Sequence, residues 1–103
     1  MHPYTAADTL RIAKRYNNPK RSYLLVNPLQ AKHIPVSPAA ALEMMGALGD
    51  QVAAKYPEAR LVIGFAETAT AIGAAVAGRL GPGCLYVHTT PETLDGGWVL
   101  FQE

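Results

Sequence analysis

Seven polar side chains of this chain stand at the ends of apolar runs or within a proline-rich run. They comprise two cations, one carboxylate and four hydroxyls: Lys32, His33, Glu67, Thr68, Thr70, Thr89 and Thr90. Cations and hydroxyl donors bind oxyanions, and a carboxylate beside them suits a divalent cation. These residue types therefore predict a site for a phosphate or pyrophosphate group.

The string GFAETATAIG connects an apolar strand to a Gly/Ala-rich helix through a short turn. The free N–H groups and the positive dipole end of such a helix favour an anion. Thr68 and Thr70 can add hydroxyl donors, and Ala66 and Ala69 lie in the same turn. We expect residues 66–70 to form the anion-binding segment.

Glu67 has two interpretations at this position. A carboxylate repels an oxyanion unless a metal ion, a ribose hydroxyl or a nearby cation lies between them. Alternatively, Glu67 and Thr68 merely cap the following helix. The spacing alone leaves both interpretations open.

Lys32 and His33 are the natural cations for this site if the proline-rich loop PLQAKHIPVSP folds over it. As loop residues they are equally read as exposed side chains without a role. His88 ends an apolar strand and is either a core histidine or a functional group. The sequence contains no metal-ligand spacing, no phosphate-binding glycine motif and no nucleophile elbow.

Strands and helices alternate along the chain and must position these side chains. Two helix starts are marked by a capping box at Thr5 and Asp8 and by the proline that follows Ser37. Two helix ends are marked by Pro57 and Gly81. The patterns predict helices at about 6–16, 38–56 and 68–80, strands at about 22–27, 60–66 and 84–90, and a last apolar run at 98–103. A strand, a helical crossover and a second strand form a right-handed βαβ unit. The predicted fold class is α/β, with an open, mostly parallel sheet and flanking helices.

Burial is predicted from the apolar pattern. The continuously apolar strands are expected to be covered on both faces, as in a parallel sheet. The second helix is expected to bury one face at helical spacing: Leu42, Met45, Leu48, Val52 and Tyr56. Cys84 has no second cysteine and is expected to be a buried structural thiol.

Length and charge restrict the function classes. With 103 residues, the chain forms one small α/β domain, residues 1–103. Nine Lys and Arg against eight Asp and Glu give a net charge of +1, so no nucleic-acid partner is expected. The basic cluster at residues 11–21 is either a solvated face or a phosphate-binding patch. The absence of a membrane span and a signal peptide, with a lone cysteine, predicts a cytoplasmic protein.

Three strings together resemble the N-terminal half of a known family. They are NNPKRSYLLVNPLQAKHIPVSP, RLVIGFAETATAIGAAVA and YVHTTPE. The chain is similar to the phosphoribosyltransferase-like proteins encoded with tellurite- and stress-resistance gene clusters, which resemble the type I phosphoribosyltransferases. Relatives often have Gly where this chain has Ala31, a small change unless the backbone needs a positive φ.

The resemblance implies an activity and a set of roles. Type I enzymes transfer the phosphoribosyl group of phosphoribosyl pyrophosphate to a nitrogen base, with Mg²⁺ holding the diphosphate. By position, residues 66–70 would meet the pyrophosphate, and Thr89 and Thr90 would lie at the same edge. Glu67 would face Mg²⁺ or its water shell. Lys32 and His33 would lie beside the leaving diphosphate.

One departure leaves alternatives open. Type I enzymes carry a later strand that ends in two acidic residues and a turn that grips the ribose phosphate, and nothing in this sequence matches it. The alternatives are a non-catalytic nucleotide- or phosphate-binding module, and a truncated fragment that needs a partner chain. The apolar last run also suggests a homodimer or a partner chain that completes the sheet.

Overall fold

The chain alternates short strands with helices. A computed structural model describes residues 4–32 and 34–92. In chain order the elements are α1 (Ala6–Thr9), β1 (Arg11–Lys14), β2 (Tyr23–Val26), α2 (Pro38–Lys55), β3 (Leu61–Gly64), α3 (Thr70–Leu80) and β4 (Leu85–His88). The predicted run at 98–103 lies outside the described residues.

The α/β class is confirmed, and its centre is a β3–α3–β4 unit. Strands β3 and β4 pair in parallel, with Leu61 opposite Leu85 and Gly64 opposite His88. Helix α3 connects them and ends before Gly81, whose φ of 101° lies in the region that favours glycine. The described strands form two separate pairs, β1–β2 and β3–β4, rather than one continuous sheet.

The N-terminal helix expected over residues 6–16 is wrong beyond its first turn. The capping box is present, since the Thr5 N–H donates to Asp8 Oδ2 at 2.9 Å. The chain then becomes extended at Leu10 and forms β1, which pairs antiparallel with β2. A helix this short is marginal alone, so pairing with β2 decides the conformation.

Helix α2 begins as predicted, but its buried face differs. The Ser37 hydroxyl accepts the Ala40 N–H at 3.3 Å, and Pro38 occupies the first position. Of the expected apolar face, Met45 is buried, Val52 is half-buried, and Leu42, Leu48 and Tyr56 are exposed. The buried positions are Ala41, Met44, Met45, Gly46 and Gly49.

Close packing of α2 against α3 explains this choice. A Cβ atom on Gly49 would lie 2.7 Å from Arg79 Cγ and 3.2 Å from the Val76 Cα atom. A Cβ atom on Gly46 would meet the Arg79 guanidinium at 2.4 Å. The helices therefore approach through a face of small residues, and the larger side chains lie elsewhere on α2. Arg79 Nη1 also pairs with Asp50 Oδ1 at 2.6 Å.

The expected burial of β3 and β4 on both faces is wrong within the described part of the chain. One face packs on α3 through Gly64 and the Tyr86 side chain. The other face is exposed along both strands: Leu61, Ile63, Leu85 and Val87. Cys84 is half-buried with a free thiol, so it is not the buried residue expected. No described helix has both the length and the apolar character needed to cross a membrane.

Candidate functional site

The turn between β3 and α3 brings backbone amides to one edge of the parallel strands. The Ala69 N–H donates to the Phe65 carbonyl at 2.8 Å, and the Thr70 N–H donates to the Glu67 carbonyl at 3.3 Å. The Ala66–Glu67 peptide bond is cis. The turn lies at the carboxyl end of β3, where open parallel sheets bind ligands.

Two glycines and a tyrosine allow this turn to pack tightly on the strands. A Cβ atom on Gly64 would lie 2.6 Å from the Ala69 carbonyl oxygen. A Cβ atom on Gly73 would lie 2.9 Å from Tyr86 Cε1. The Tyr86 hydroxyl donates to the Thr70 carbonyl. The start of α3 is therefore held directly against the ends of β3 and β4.

Thr89 connects the end of β4 to the turn. Its N–H donates to the Gly64 carbonyl at 3.0 Å, and its hydroxyl oxygen accepts the Ala66 N–H at 2.8 Å. Thr89 therefore lies at the predicted place and supports the backbone there. The Thr90 hydroxyl instead accepts the Glu92 N–H at 3.1 Å in a local turn.

The capping interpretation of Glu67 and Thr68 is wrong. Helix α3 begins at Thr70 with Ala69 as its N-cap, and no side chain caps it. Within residues 4–32 and 34–92, the structure records no acceptor for the N–H groups of Ala71 and Ile72. The two amides of the first helical turn thus remain available to an anion.

The proline-rich loop folds over this turn. Lys32 Nζ donates to Thr68 Oγ1, and Gln30 Nε2 donates to the Thr68 carbonyl. The loop is anchored at Asn27, whose Oδ1 accepts the Leu29 N–H at 2.9 Å. The structure therefore brings Lys32 to the predicted turn, whereas His33 lies outside the described residues.

Two features of the loop were not evident from the sequence. Gln30 had no predicted role, yet it holds the Thr68 carbonyl that would otherwise accept the Ile72 N–H of α3. Ala31 has a φ of 65°, the left-handed region that favours glycine. The alanine that this chain has in place of the relatives' glycine therefore lies at a position that needs a positive φ.

A cleft of about 160 Å³ lies beside the Lys32–Thr68 contact. Residues 24–26 of β2 and Ile34 supply apolar walls, and Asn27 and Gln30 supply amide groups. The cation and the hydroxyl line the same space. The cleft thus offers an apolar wall next to an ammonium group and a hydroxyl.

Glu67 is the carboxylate of the turn and is exposed. In the part of the chain that the structure describes, no hydrogen bond or ion pair engages its side chain, and no three His, Cys, Asp or Glu side chains converge. Mg²⁺ commonly takes one or two protein carboxylates and completes its shell with water and phosphate oxygens. A single free carboxylate fits that kind of site.

His88 does not belong to the core. Its side chain is exposed, and Nδ1 lies 3.0 Å from the Thr89 carbonyl oxygen. The core-histidine interpretation is therefore wrong.

Comparison with known proteins gives one match. A family model described as phosphoribosyl transferase matches residues 9–103. Searches of curated proteins and of solved structures return no significant match. The matched range contains β1 to β4 and every residue of the turn and of the loop above it.

Proposed function

This chain belongs to the phosphoribosyl transferase family, and from that premise we propose that residues 66–70 bind the diphosphate of phosphoribosyl pyrophosphate. The proposed reaction transfers the phosphoribosyl group to a nitrogen base or a related acceptor. The sugar C1–O bond breaks, pyrophosphate leaves, and a bond from the acceptor nitrogen to C1 forms.

The contact between Lys32 and Thr68 is the observation that carries the proposal. It brings an ammonium group to the turn that precedes α3, and the first turn of that helix contains the N–H groups of Ala71 and Ile72. Ammonium, hydroxyl and backbone N–H groups are the donors that a diphosphate needs. A simple helix cap would require none of this arrangement.

Each residue of the turn has a proposed role. Thr68 and Thr70 donate hydroxyls, and Ala66 and Ala69 contribute backbone to the cradle. Lys32 stabilises the negative charge that develops on the leaving diphosphate. Thr89 positions the turn through the Ala66 N–H. His33 beside the diphosphate and Thr90 at the substrate stay predictions.

Mg²⁺ is part of the proposal, and Glu67 would hold the ion or its water shell. The ion, when bound, neutralises part of the charge of the diphosphate. From the resemblance we also propose a role in tellurite and stress resistance. The genes that neighbour the coding sequence test that part.

Titration calorimetry with phosphoribosyl pyrophosphate and Mg²⁺ tests the site. We expect Lys32→Ala to weaken binding about 10- to 150-fold, because a charge-assisted hydrogen bond contributes roughly 1.5–3 kcal/mol. Lys55→Ala, on the last turn of α2, is the matched control and should leave the affinity unchanged. Equal affinity of Lys32→Ala and the unsubstituted protein would reject the site.

A pyrophosphate-release assay with candidate bases separates an enzyme from a binding module. Release that depends on phosphoribosyl pyrophosphate supports transfer. Binding without release, across a panel of purine, pyrimidine and nicotinate-type bases, would favour a non-catalytic phosphate-binding module. Glu67→Gln should reduce the Mg²⁺ dependence of binding, since the amide keeps the shape of the side chain without its charge.

A further inference from the structure

The β1–β2 hairpin carries a segregated positive charge. Five of the nine Lys and Arg residues lie within residues 11–21, and no Asp or Glu occurs between Asp8 and Glu43. The net charge of +1 conceals this asymmetry because the carboxylates lie in other parts of the chain. The potential around the hairpin is therefore positive although the chain is nearly neutral.

One face of the hairpin combines one of these cations, Lys14, with exposed apolar and aromatic side chains. Strand pairing places Ile12 opposite Leu25 and Lys14 opposite Tyr23, and alternate residues of a strand share a face. Ile12 is 75% exposed, Leu25 is 58% exposed and Tyr23 is 54% exposed. We call these four residues the hairpin face.

The loop that joins the strands extends this surface. Tyr16 is 89% exposed at its start. Asn18 Oδ1 accepts the N–H groups of Lys20 and Arg21 at 3.0 and 2.9 Å, which orders the backbone that carries both cations. Among the described residues, the structure shows an ion pair between Arg79 and Asp50 and none at the hairpin cations.

We propose that the hairpin face and its loop bind single-stranded nucleic acid. Tyr16 and Tyr23 stack on unpaired bases, and Lys14, Lys20 and Arg21 contact the phosphates. Exposed aromatic rings set among cations are the surface that single strands need. This site uses none of the residues of the β3–α3 turn and shares Leu25 with the cleft beside that turn, so it goes beyond the proposed transferase function. It differs from the expectation from net charge that nucleic acid is not a partner, and the experiments below decide between the two.

Charge complementarity selects a polyanion, and the arrangement favours a nucleic-acid strand over an anionic bilayer. The loop tip, Asn17 to Lys20, consists of two asparagines, a proline and a lysine, and offers no large apolar side chain to insert among lipids. The apolar side chains instead lie along the strands, beside Lys14. On the hairpin face Lys14 lies opposite Tyr23, and the loop that joins the strands adds Tyr16, Lys20 and Arg21.

Fluorescence anisotropy with the full chain and labelled oligouridine or oligothymidine of about 12 nucleotides tests the proposal, since such sites span about 4–16 nucleotides. We expect Tyr16→Ala and Tyr23→Ala each to weaken binding about tenfold. Tyr16→Phe and Tyr23→Phe keep the ring and should keep the affinity. Tyr56→Ala is the matched exposed aromatic on α2 and should have no effect.

The salt dependence tests the cations separately. Lys20→Ala with Arg21→Ala should lower the slope of log affinity against log salt by about 1.4, because each lost phosphate contact removes about 0.7 on a single strand. Lys55→Ala with Arg60→Ala is the matched control and should leave the slope unchanged. Tighter binding of one oligonucleotide identifies RNA or DNA as the partner.

Three outcomes would overturn the proposal. They are no binding of either oligonucleotide at low salt, equal losses in the hairpin and control variants, and binding only to phosphatidylserine vesicles. Circular dichroism melting of each variant shows which variants are folded, and the affinities are compared only among those. If a tyrosine-to-alanine variant fails to fold, the affinity of the phenylalanine variants and the salt slope of the Lys20 and Arg21 double variant still test the proposal.

Discussion

Ala31 is the residue at which a single side chain conflicts with the backbone of the site. An alanine with a φ of 65° costs roughly 1–2 kcal/mol relative to the right-handed region. Ala31 precedes Lys32, so this strain lies in the loop that brings the cation to Thr68. The loop therefore keeps this conformation through its hydrogen bonds to the turn and through the Asn27 anchor.

Replacing this alanine tests the strain. We expect Ala31→Gly to change the free energy of unfolding by about 0 to +1 kcal/mol, because relief of strain outweighs the greater entropy of glycine in the unfolded chain. Ala74→Gly, at an exposed position inside α3, is the matched control and should lose about 1 kcal/mol. Urea unfolding measures both, and an equal loss in the two variants would contradict the strain.

At the scale of the secondary-structure elements, the main contact is the packing of α2 on α3. Gly46 and Gly49 leave the space that the Arg79 side chain occupies, and the guanidinium then reaches Asp50. The ion pair is partly exposed, so the packed stem of Arg79 contributes more than the charge. Because α3 begins directly after the turn proposed to bind the diphosphate, this contact also fixes the orientation of the helix that follows the turn.

Glycine substitutions separate close packing from helix propensity. Gly49→Ala should lower the free energy of unfolding, because an overpacking cost of about 1–3 kcal/mol exceeds the gain of about 1 kcal/mol from propensity. Gly78→Ala has nothing within 4 Å of the added atom and should gain about 1 kcal/mol. Thermal melting distinguishes them, and a stabilised Gly49→Ala would disprove the close approach.

At the scale of the whole molecule, little of the chain is buried. The radius of gyration is 15.6 Å, whereas a compact chain of this length has about 13 Å. Within residues 4–32 and 34–92, the buried apolar residues lie mainly between α2 and α3: Ala41, Met44, Met45, Val76 and Ala77. The exposed face of β3 and β4 is therefore apolar surface that a second chain would cover favourably.

A homodimer through this face predicts a concentration-dependent melting temperature. Tm should rise over a roughly hundredfold increase in protein concentration, because association stabilises the folded state by mass action. Ile63→Lys should abolish the rise, since the ammonium group would enter the interface. Leu42→Lys, on the exposed side of α2, should preserve it. A Tm independent of concentration would contradict the dimer.

The local signals of the sequence were sufficient for the site region. Capping predicts the start of α2 at Ser37 and Pro38, and the φ preference of glycine predicts the end of α3 at Gly81. The period of the apolar residues predicts the parallel β3–β4 pair and the polar turn after β3. The position of Lys32 near this turn was predicted only on the condition that the loop folds over it. The helix ends and the turn depend on neighbours in the chain, and the parallel pair follows from the helical crossover that joins its two strands, so the amino-acid sequence by itself determined them.

Only the tertiary structure decided the features that depend on distant contacts. Residues 11–14 became a strand because β2 offers hydrogen-bond partners, which a short helix could not match. Helix α2 buried its glycines rather than Leu42 because the Arg79 stem fills the space between the helices. Gln30 joined the site because the loop closes over Thr68, a contact between residues 38 positions apart. Local propensities carry no information about such long-range packing, which explains why the sequence did not reveal it.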